Sequence, residues 1–355
     1  EQGGLRDICY TAGVRRSHHQ HRLCVVGHDQ EELRRGLQGY VAEELTAGVY
    51  SGRKSVGQRP KVAFIFPGQG SQWVGMGREL LQREAVFRSK LEECEAAMRP
   101  YQEWSLIEEL NQGTVDAELQ RIDVVQPLLF AMQVGLAELW RSWGVEPDAV
   151  VGHSMGEVAA ACVSGVLSLE AGAQVICQRS QLLRRLSGRG AMAVVELSAG
   201  AVAGALGGEA GLVSVAAVNS WRTTVISGER EAVKRLVEKF GSENIYSREV
   251  KVDVASHSRE VEEIGGELRE QLAGLRGKRG TVAMYSTVTG AELKGEEVDG
   301  EYWVRNVREE VKFAAVLEEL KRRGYGVYVE VSAHPVLLPA VEELVRGAEE
   351  NGAGS

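Results

Sequence analysis

Apolar and polar positions follow two periods along this chain. Residues 62–66 form an unbroken apolar run of strand length, and Ala149-Val150-Val151 forms another, the texture of strands buried on both faces. Between them the spacing is largely helical to about Gly144, and residues 128–140 carry apolar side chains at helical intervals. A further helix is predicted over 167–186. From about Gly190 the texture changes. Residues 192–197 alternate like a strand, 201–206 read as a short helix, and strands follow at 213–218 and 223–227. A helix over 229–240 and a strand over 247–252 complete a βαββαβ order, that of a ferredoxin-like subdomain inserted into a larger α/β domain. The chain then returns to helix-rich sequence and a last strand at 327–331.

The first sixty residues read as a separate small mixed α/β piece, with a short strand at Val25-Val26 and a helix over 30–47. The polar, turn-rich stretch 50–57 marks its boundary. The predicted organisation is therefore a small α/β domain at 1–60 and the first part of a large subdomain at 61–189. An inserted small subdomain follows at 190–254, then the second part of the large one at 255–345 and a disordered tail at 346–355. No internal repeat or low-complexity tract interrupts it.

Composition narrows the function classes. At 355 residues, 44% hydrophobic and 26% charged, the chain has the make-up of an ordinary globular protein with a sizeable core. A net charge of −9 gives no electrostatic reason to expect nucleic acid as a partner. No apolar run reads as a bilayer span, and no membrane partner is expected. Glu1-Gln2-Gly3-Gly4 lacks a signal-peptide pattern and reads as the start of an excised fragment, and Gly352-Ala353-Gly354-Ser355 as a cut or tag end. The five cysteines are dispersed without Cys-x-x-Cys, which argues for a reducing, cytoplasmic setting; Cys162 and Cys177 fall in apolar helical patterns and read as small buried hydrophobes. His18, His19 and His21 lie among arginines with no Cys or carboxylate at ligand spacing, so they read as a solvated basic turn and no metal is expected.

The chemistry concentrates at Gly152-His153-Ser154-Met155-Gly156-Glu157, which follows the second apolar run and opens the small-residue helical pattern Val158-Ala159-Ala160-Ala161. That is the strand-turn-helix setting of a nucleophile elbow, with glycines where a Cβ would crowd the turn and Ser154 at a helix N-terminus. A serine nucleophile needs a base, and only His153, His257 and His334 lie beyond the first sixty residues. His153 adjoins the serine on the elbow, where its side chain should project away. His257, in Val254-Ala255-Ser256-His257 at a strand end, and His334, in Ser332-Ala333-His334-Pro335, both stand as candidates on residue type alone. An ordinary α/β-hydrolase is disfavoured. It would place an acid between the serine and the histidine, yet the only Asp there is Asp253, four residues before His257, and no His-Gly-Gly segment precedes Ser154. Arg179 lies in the following helix among apolar residues. It is either a helix arginine reaching water or a planar guanidinium aimed at a carboxylate.

Together these residues resemble the acyltransferase domain of modular type I polyketide synthases, related to malonyl-CoA:ACP transacylases. The resemblance rests on Phe66-Pro67-Gly68-Gln69-Gly70-Ser71-Gln72, Gly-His-Ser-x-Gly-Glu at 152–157, Ala255-Ser256-His257, Tyr302-Trp303-x-x-Asn306 and Glu330-Val331-Ser332-x-His334-Pro335, in that order. Residues 1–60, with Val14-Arg15-Arg16-Ser17-His18-His19 and His21-Arg22-Leu23, resemble the linker between ketosynthase and acyltransferase domains. The resemblance implies an α/β fold: an α/β-hydrolase-like large subdomain with an inserted ferredoxin-like small subdomain, preceded by a small α/β linker domain. It implies that Ser154 carries the acyl group, His257 is its base, and the backbone N–H groups of Gln69 and Met155 form the oxyanion hole. Arg179 would hold the free carboxylate of a malonyl-type unit, and Gln126, in Val124-Val125-Gln126-Pro127, would line the same pocket. A backbone carbonyl, rather than a triad carboxylate, would orient the histidine. The reaction implied is ping-pong transfer from an acyl-CoA donor to the phosphopantetheine thiol of an acyl carrier protein, with no bound cofactor and with a ketosynthase domain adjacent in the same polypeptide.

The extender unit is read from the same resemblance. Methylmalonyl-selective members usually carry Tyr-Ala-Ser-His and malonyl-selective ones His-Ala-Phe-His. Here Ser256 leaves room for an α-methyl branch, and Val254 in place of tyrosine opens the pocket toward ethylmalonyl or larger units. Arg121-Ile122-Asp123-Val124-Val125-Gln126 also resembles the methylmalonyl type, whereas Met155 departs from it. Methylmalonyl-CoA is the favoured donor, with malonyl- or ethylmalonyl-CoA as alternatives. A starter-loading acyltransferase for monocarboxylic acyl groups and a non-catalytic linker or docking fragment are the competing functions. A basic patch near Arg184 and Arg185 is the expected landing place of an acidic carrier protein.

Overall fold

The computed structural model describes residues 4–54, 57, 59–112, 121–252 and 254–352; Asp253 and the two extreme termini lie outside the described residues. It divides into two compact units, Glu1–Arg59 and Pro60–Ser355. In the first, β1 (His21–Val25) pairs antiparallel with β2 (Val49–Arg53), accompanied by α1 (Leu5–Val14) and α2 (Gln30–Val41). Asp29 caps α2 by accepting from the Glu32 N–H at 2.8 Å. Gly36 sits where α2 meets the ribbon: a Cβ there would stand 2.6 Å from Val25 Cγ1. The helix expected over 30–47 ends at Val41, because Glu43 takes φ 57° and Gly48 φ 77°, turning the chain back into β2. That strand was not expected. Its Val-Tyr-Ser-Gly-Arg sequence buries no side chain fully, so it carries no apolar signal.

The second unit begins with β3 (Lys61–Phe66), whose residues after Lys61 are all buried. Then come α3 (Arg78–Arg83), α4 (Ala85–Met98), α5 (Leu106–Gln112), α6 (Ile122–Ser142), β4 (Ala149–Gly152), α7 (Gly156–Ser164) and α8 (Leu169–Arg184). The inserted layer comprises β5 (Gly190–Val195), α9 (Ala199–Leu206), β6 (Val213–Val218), β7 (Thr224–Glu229), α10 (Arg230–Ser242) and β8 (Ser247–Glu249). Its antiparallel sheet runs β6-β7-β5-β8, which puts the first and third strands of the insert in the centre, the ferredoxin-like arrangement. The chain closes with α11 (Glu262–Gln271), β9 (Ala283–Ser286), β10 (Ala291–Leu293), α12 (Gly300–Arg308), α13 (Phe313–Arg322), β11 (Tyr325–Glu330) and α14 (Leu338–Gly352).

The large sheet has the order β10-β9-β4-β3-β11 and is parallel except for β10. Strands β9 and β10 were missed in the sequence, where four and three residues beside turns fall below any periodicity. The tail expected to be disordered from 346 instead continues α14 to Gly352, and Val341 and Leu344 bury the start of that helix in the core. Helix α6 has the length and hydropathy of a membrane span, contrary to the expectation that no run would. However, 83% of its most apolar window is buried within the protein, so it serves as a core helix.

Two parallel strands place the site. β3 and β4 are neighbours with Phe66 opposite Gly152, so the loops leaving their carboxyl ends lie side by side. Ligands of open α/β sheets bind at that edge.

Candidate active site

The elbow forms as its sequence requires. Ser154 occupies the left-handed region at φ 54° between β4 and α7. A Cβ on Gly152 would lie 2.2 Å from Glu157 backbone, and one on Gly156 2.0 Å from the Phe66 carbonyl oxygen. Neither position admits a side chain. His257 also has positive φ, 61°, and the two are among only four such non-glycine residues in the described chain. Backbone strain of this kind persists where the surroundings over-determine it, and it gathers at functional sites.

His257 is the histidine that reaches the serine. Its Nε2 lies 2.7 Å from Ser154 Oγ, and its Nδ1 lies 2.8 Å from the carbonyl oxygen of Glu309. That carbonyl can only accept, so Nδ1 carries the proton and Nε2 presents its lone pair to the hydroxyl. Burial, and then the Arg179 charge, push the His257 pKa down to about 3, which keeps the imidazole neutral with its Nε2 lone pair unprotonated. His334 is exposed on its loop. The ring of His153 points to Asn219 Oδ1 at 2.9 Å and packs edge-on against Phe313, so it does not act on Ser154.

Arg179 resolves its two readings in favour of the site. It is 1% exposed, its Nη2 donates to Ser154 Oγ at 3.1 Å, and its Nη1 donates to Gln126 Oε1 at 2.6 Å. Its Nε has no partner, and among the described residues no carboxylate forms an ion pair with it. Burial lowers its pKa to about 10, so the guanidinium remains charged at neutral pH. A buried cation is costly, and of the carboxylates only the buried Glu157 acts on this one, from beyond ion-pair distance.

The Phe66–Gln72 loop faces the elbow. Gln133, deep in α6, donates from Nε2 to the Pro67 carbonyl at 2.7 Å and fixes the loop's entry. Neither the Gln69 nor the Met155 N–H has a backbone acceptor among the described residues, and both residues line the same cavity as Ser154. That cavity is about 1040 Å³, and its wall includes Gln126, Val254, Ser256 and His257. Val254 is 2% exposed and Ser256 half-buried.

Residue type alone did not disclose what holds this arrangement. Helix α12 and the Glu309 that caps its C-terminus supply three contacts: Asn306 Nδ2 donates to the Ser154 carbonyl at 3.1 Å, the Val307 carbonyl accepts the His257 N–H at 2.8 Å, and the Glu309 carbonyl accepts from Nδ1. Glu157 is fully buried and accepts from Thr287 N at 2.5 Å, Thr287 Oγ1 at 2.8 Å, Tyr302 Oη at 2.5 Å and Asn306 Nδ2 at 3.1 Å. The signal was the pair of motifs that contain these residues, Gly-His-Ser-x-Gly-Glu and Tyr-Trp-x-x-Asn. The remaining candidates lie elsewhere. Cys177 is a buried thiol pushed up to about 12 by burial, Cys162 is half-buried with its thiol also pushed up by burial, and Arg184 and Arg185 already pair with Asp123 and Glu267. Among the described residues no group of His, Cys, Asp and Glu could hold a metal ion.

Residues 63–353 match the acyl transferase domain family, and residues 1–37 match the CurL-like, PKS C-terminal family. Over 351 residues the chain is 46% identical to Polyketide synthase GfsE of Streptomyces halstedii, covering 98% of this chain but only 9% of that protein. The acyltransferase domain from module 8 of the salinomycin polyketide synthase superposes with a TM-score of 0.90 at 39% identity, covering 98% of this chain and 82% of that one. A loading acyltransferase from the avermectin modular polyketide synthase gives a TM-score of 0.78 at 42% identity, covering 81% and 92%.

Proposed function

The chain belongs to the acyl transferase domain family of polyketide synthases, and from that premise we propose that it loads an α-carboxyacyl extender unit, methylmalonyl favoured, onto an acyl carrier protein. The observation that carries this reading is the convergence of His257 Nε2 and Arg179 Nη2 on one oxygen, Ser154 Oγ. The base activates the nucleophile. The buried guanidinium beside it selects an acyl group that ends in a carboxylate.

Ser154 attacks the thioester carbonyl of an acyl-CoA as its proton passes to His257 Nε2. The oxyanion is met by the Gln69 and Met155 N–H groups, and CoA leaves as the thiol, taking the proton from His257. The phosphopantetheine thiol of the carrier protein then gives its proton to His257 and attacks the acyl-serine, restoring the hydroxyl. No bound cofactor takes part in this scheme. A ketosynthase domain of the same polypeptide would consume the loaded unit, and the five free cysteines suit a cytoplasmic setting.

Methylmalonyl is supported by Ser256 on the cavity wall, whose small side chain leaves space for a branch at the α-carbon. Val254 beside it also suits ethylmalonyl, and Met155 suits malonyl. The similarity to a loading acyltransferase keeps a monocarboxylic starter as the second reading, against which the unpaired Arg179 stands. The test is the intact mass of the protein after brief exposure to equimolar malonyl-, methylmalonyl-, ethylmalonyl- and propionyl-CoA, beside Ser154→Ala. One adduct of methylmalonyl mass, absent in the variant, is the expected result; a propionyl adduct transfers the assignment to starter loading.

A further inference from the structure

Helix α6 lays two glutamines along one face. Gln126 and Gln133 are seven residues apart, two turns or about 10 Å along the axis. The first accepts from Arg179, and the second donates from Nε2 to the Pro67 carbonyl. Gln133 is 0% exposed, between the buried Met132 and Val134, and its Oε1 has no partner among the described residues. An apolar side chain would strand no acceptor there, so the donor is what the amide contributes. Residue 67 is a proline with no N–H of its own, and its carbonyl is the one backbone group by which a hydrogen bond can anchor it.

The peptide that Gln133 grips precedes the one that carries the Gln69 N–H. Gly68, between them, lies against the elbow: a Cβ built there would stand 3.4 Å from the His153 carbonyl oxygen and 3.8 Å from Ser154 Cβ. One residue beyond Gln69, the Gly70 N–H donates to Gln72 Oε1 at 2.8 Å, and Gly70 takes φ 132°. The backbone is therefore held on both sides of Gln69.

We propose that Gln133 is a positioning residue for the oxyanion hole: by fixing the Pro67–Gly68 peptide it sets where the Gln69 N–H points. The inference rests on the acyltransferase reading above. Helix α6 then gauges the acyl unit at both ends, the carboxylate through Gln126 and Arg179 and the reacting carbonyl through Gln133 and Gln69. The thioester oxygen becomes an anion during acylation and the ester oxygen does so again during transfer to the acceptor thiol. One fixed donor thus acts in both half-reactions, and on rate rather than on binding.

The test follows acylation of Ser154 by methylmalonyl-CoA in the 355-residue chain, then transfer of the acyl group to N-acetylcysteamine, each by intact mass at timed intervals. In Gln133→Met, which keeps the volume and loses the donor, the maximal rates of both steps fall about ten- to a hundredfold, while the half-saturating donor concentration changes less than about twofold. Gln133→Asn, an amide one methylene too short to reach, should show the same split even if the methionine variant folds poorly. Gln133→Glu is the rescue. Burial keeps the introduced carboxyl protonated at neutral pH, so it donates in place of the amide and restores the rates to within about threefold of the parent. Parental rates in the methionine and asparagine variants overturn the proposal. So does a loss confined to half-saturation or to unfolding stability, or a glutamate variant as slow as the methionine one. Failure of the unsubstituted chain to form an acyl-serine overturns instead the acyltransferase reading beneath it.

Discussion

Arg179 Nη2 lies 3.1 Å from Ser154 Oγ, so the positive charge of the pocket touches the nucleophile itself. Replacing Arg179 with alanine should lower kcat/KM for methylmalonyl-CoA about a hundredfold or more, the cost of a charge-assisted contact to a buried carboxylate. Propionyl-CoA, with no carboxylate to bind, should lose far less. Competition between the two donors for the acyl-serine, read by mass, gives the ratio directly. An unchanged ratio would remove Arg179 from substrate selection.

His257 sets the pH behaviour. Its pKa is depressed from 6.5 to about 3, first by burial and then by Arg179, so the unfolded chain binds more protons than the folded one between those values. Stability therefore falls as pH drops below about 6.5, by up to ~1.4 kcal/mol per pH unit from this group, and urea titrations at pH 7 and pH 5 measure it. His257→Asn should reduce that slope. The acylation rate of the folded protein should show no acid limb near 6.5, and should fall by roughly 10²–10⁴ in the variant.

Glu157 is pressed toward its neutral form by burial, while its hydrogen-bond donors favour the carboxylate. Glu157→Gln would bring an amide N–H₂ against two of those donors. A loss of about 2–4 kcal/mol in denaturant unfolding is expected, with weaker acylation through the displaced Ser154 backbone. A variant as stable as the parent would show that the network is not needed to hold the elbow.

Two glycines predict opposite signs. Gly156→Ala places a Cβ 2.0 Å from the Phe66 carbonyl oxygen and should abolish soluble expression or cost several kcal/mol. Gly200, inside α9, has open space around a built Cβ, and Gly200→Ala should stabilise by about 0.5–1 kcal/mol. Thermal melting of the two variants checks both.

Ser256→Phe tests the α-branch. The added ring should lower the methylmalonyl-to-malonyl ratio of acyl-serine formation at least tenfold, the usual discrimination for one methyl group. No change in the ratio would locate the branch pocket elsewhere on the wall.

Much of the site was legible because its chemistry is local in sequence. Gly152, Ser154 and Gly156 announce a turn that only those residue types can make, and the apolar runs at β3 and β4 announce the strands that carry it. The orientation of His257 was not legible in this way. It depends on main-chain oxygens of Val307 and Glu309, some fifty residues on, and every residue type owns a carbonyl. Arg179 kept two readings because a helical pattern cannot say whether a long side chain turns to water or to a cavity. The short strands β9 and β10 take their identity from pairing with β4 and with each other rather than from their own residues.

One helix grips both reacting residues. Since α12 and its C-terminal cap bind the backbone of Ser154 through Asn306 and both the backbone and the ring of His257 through Val307 and Glu309, their displacement is common to the two reacting atoms and cancels in their separation. The inserted subdomain makes none of these three contacts. The cavity wall it contributes, Trp221 and Arg248 among it, can therefore shift while the distance from Ser154 Oγ to His257 Nε2 stays where the large subdomain sets it.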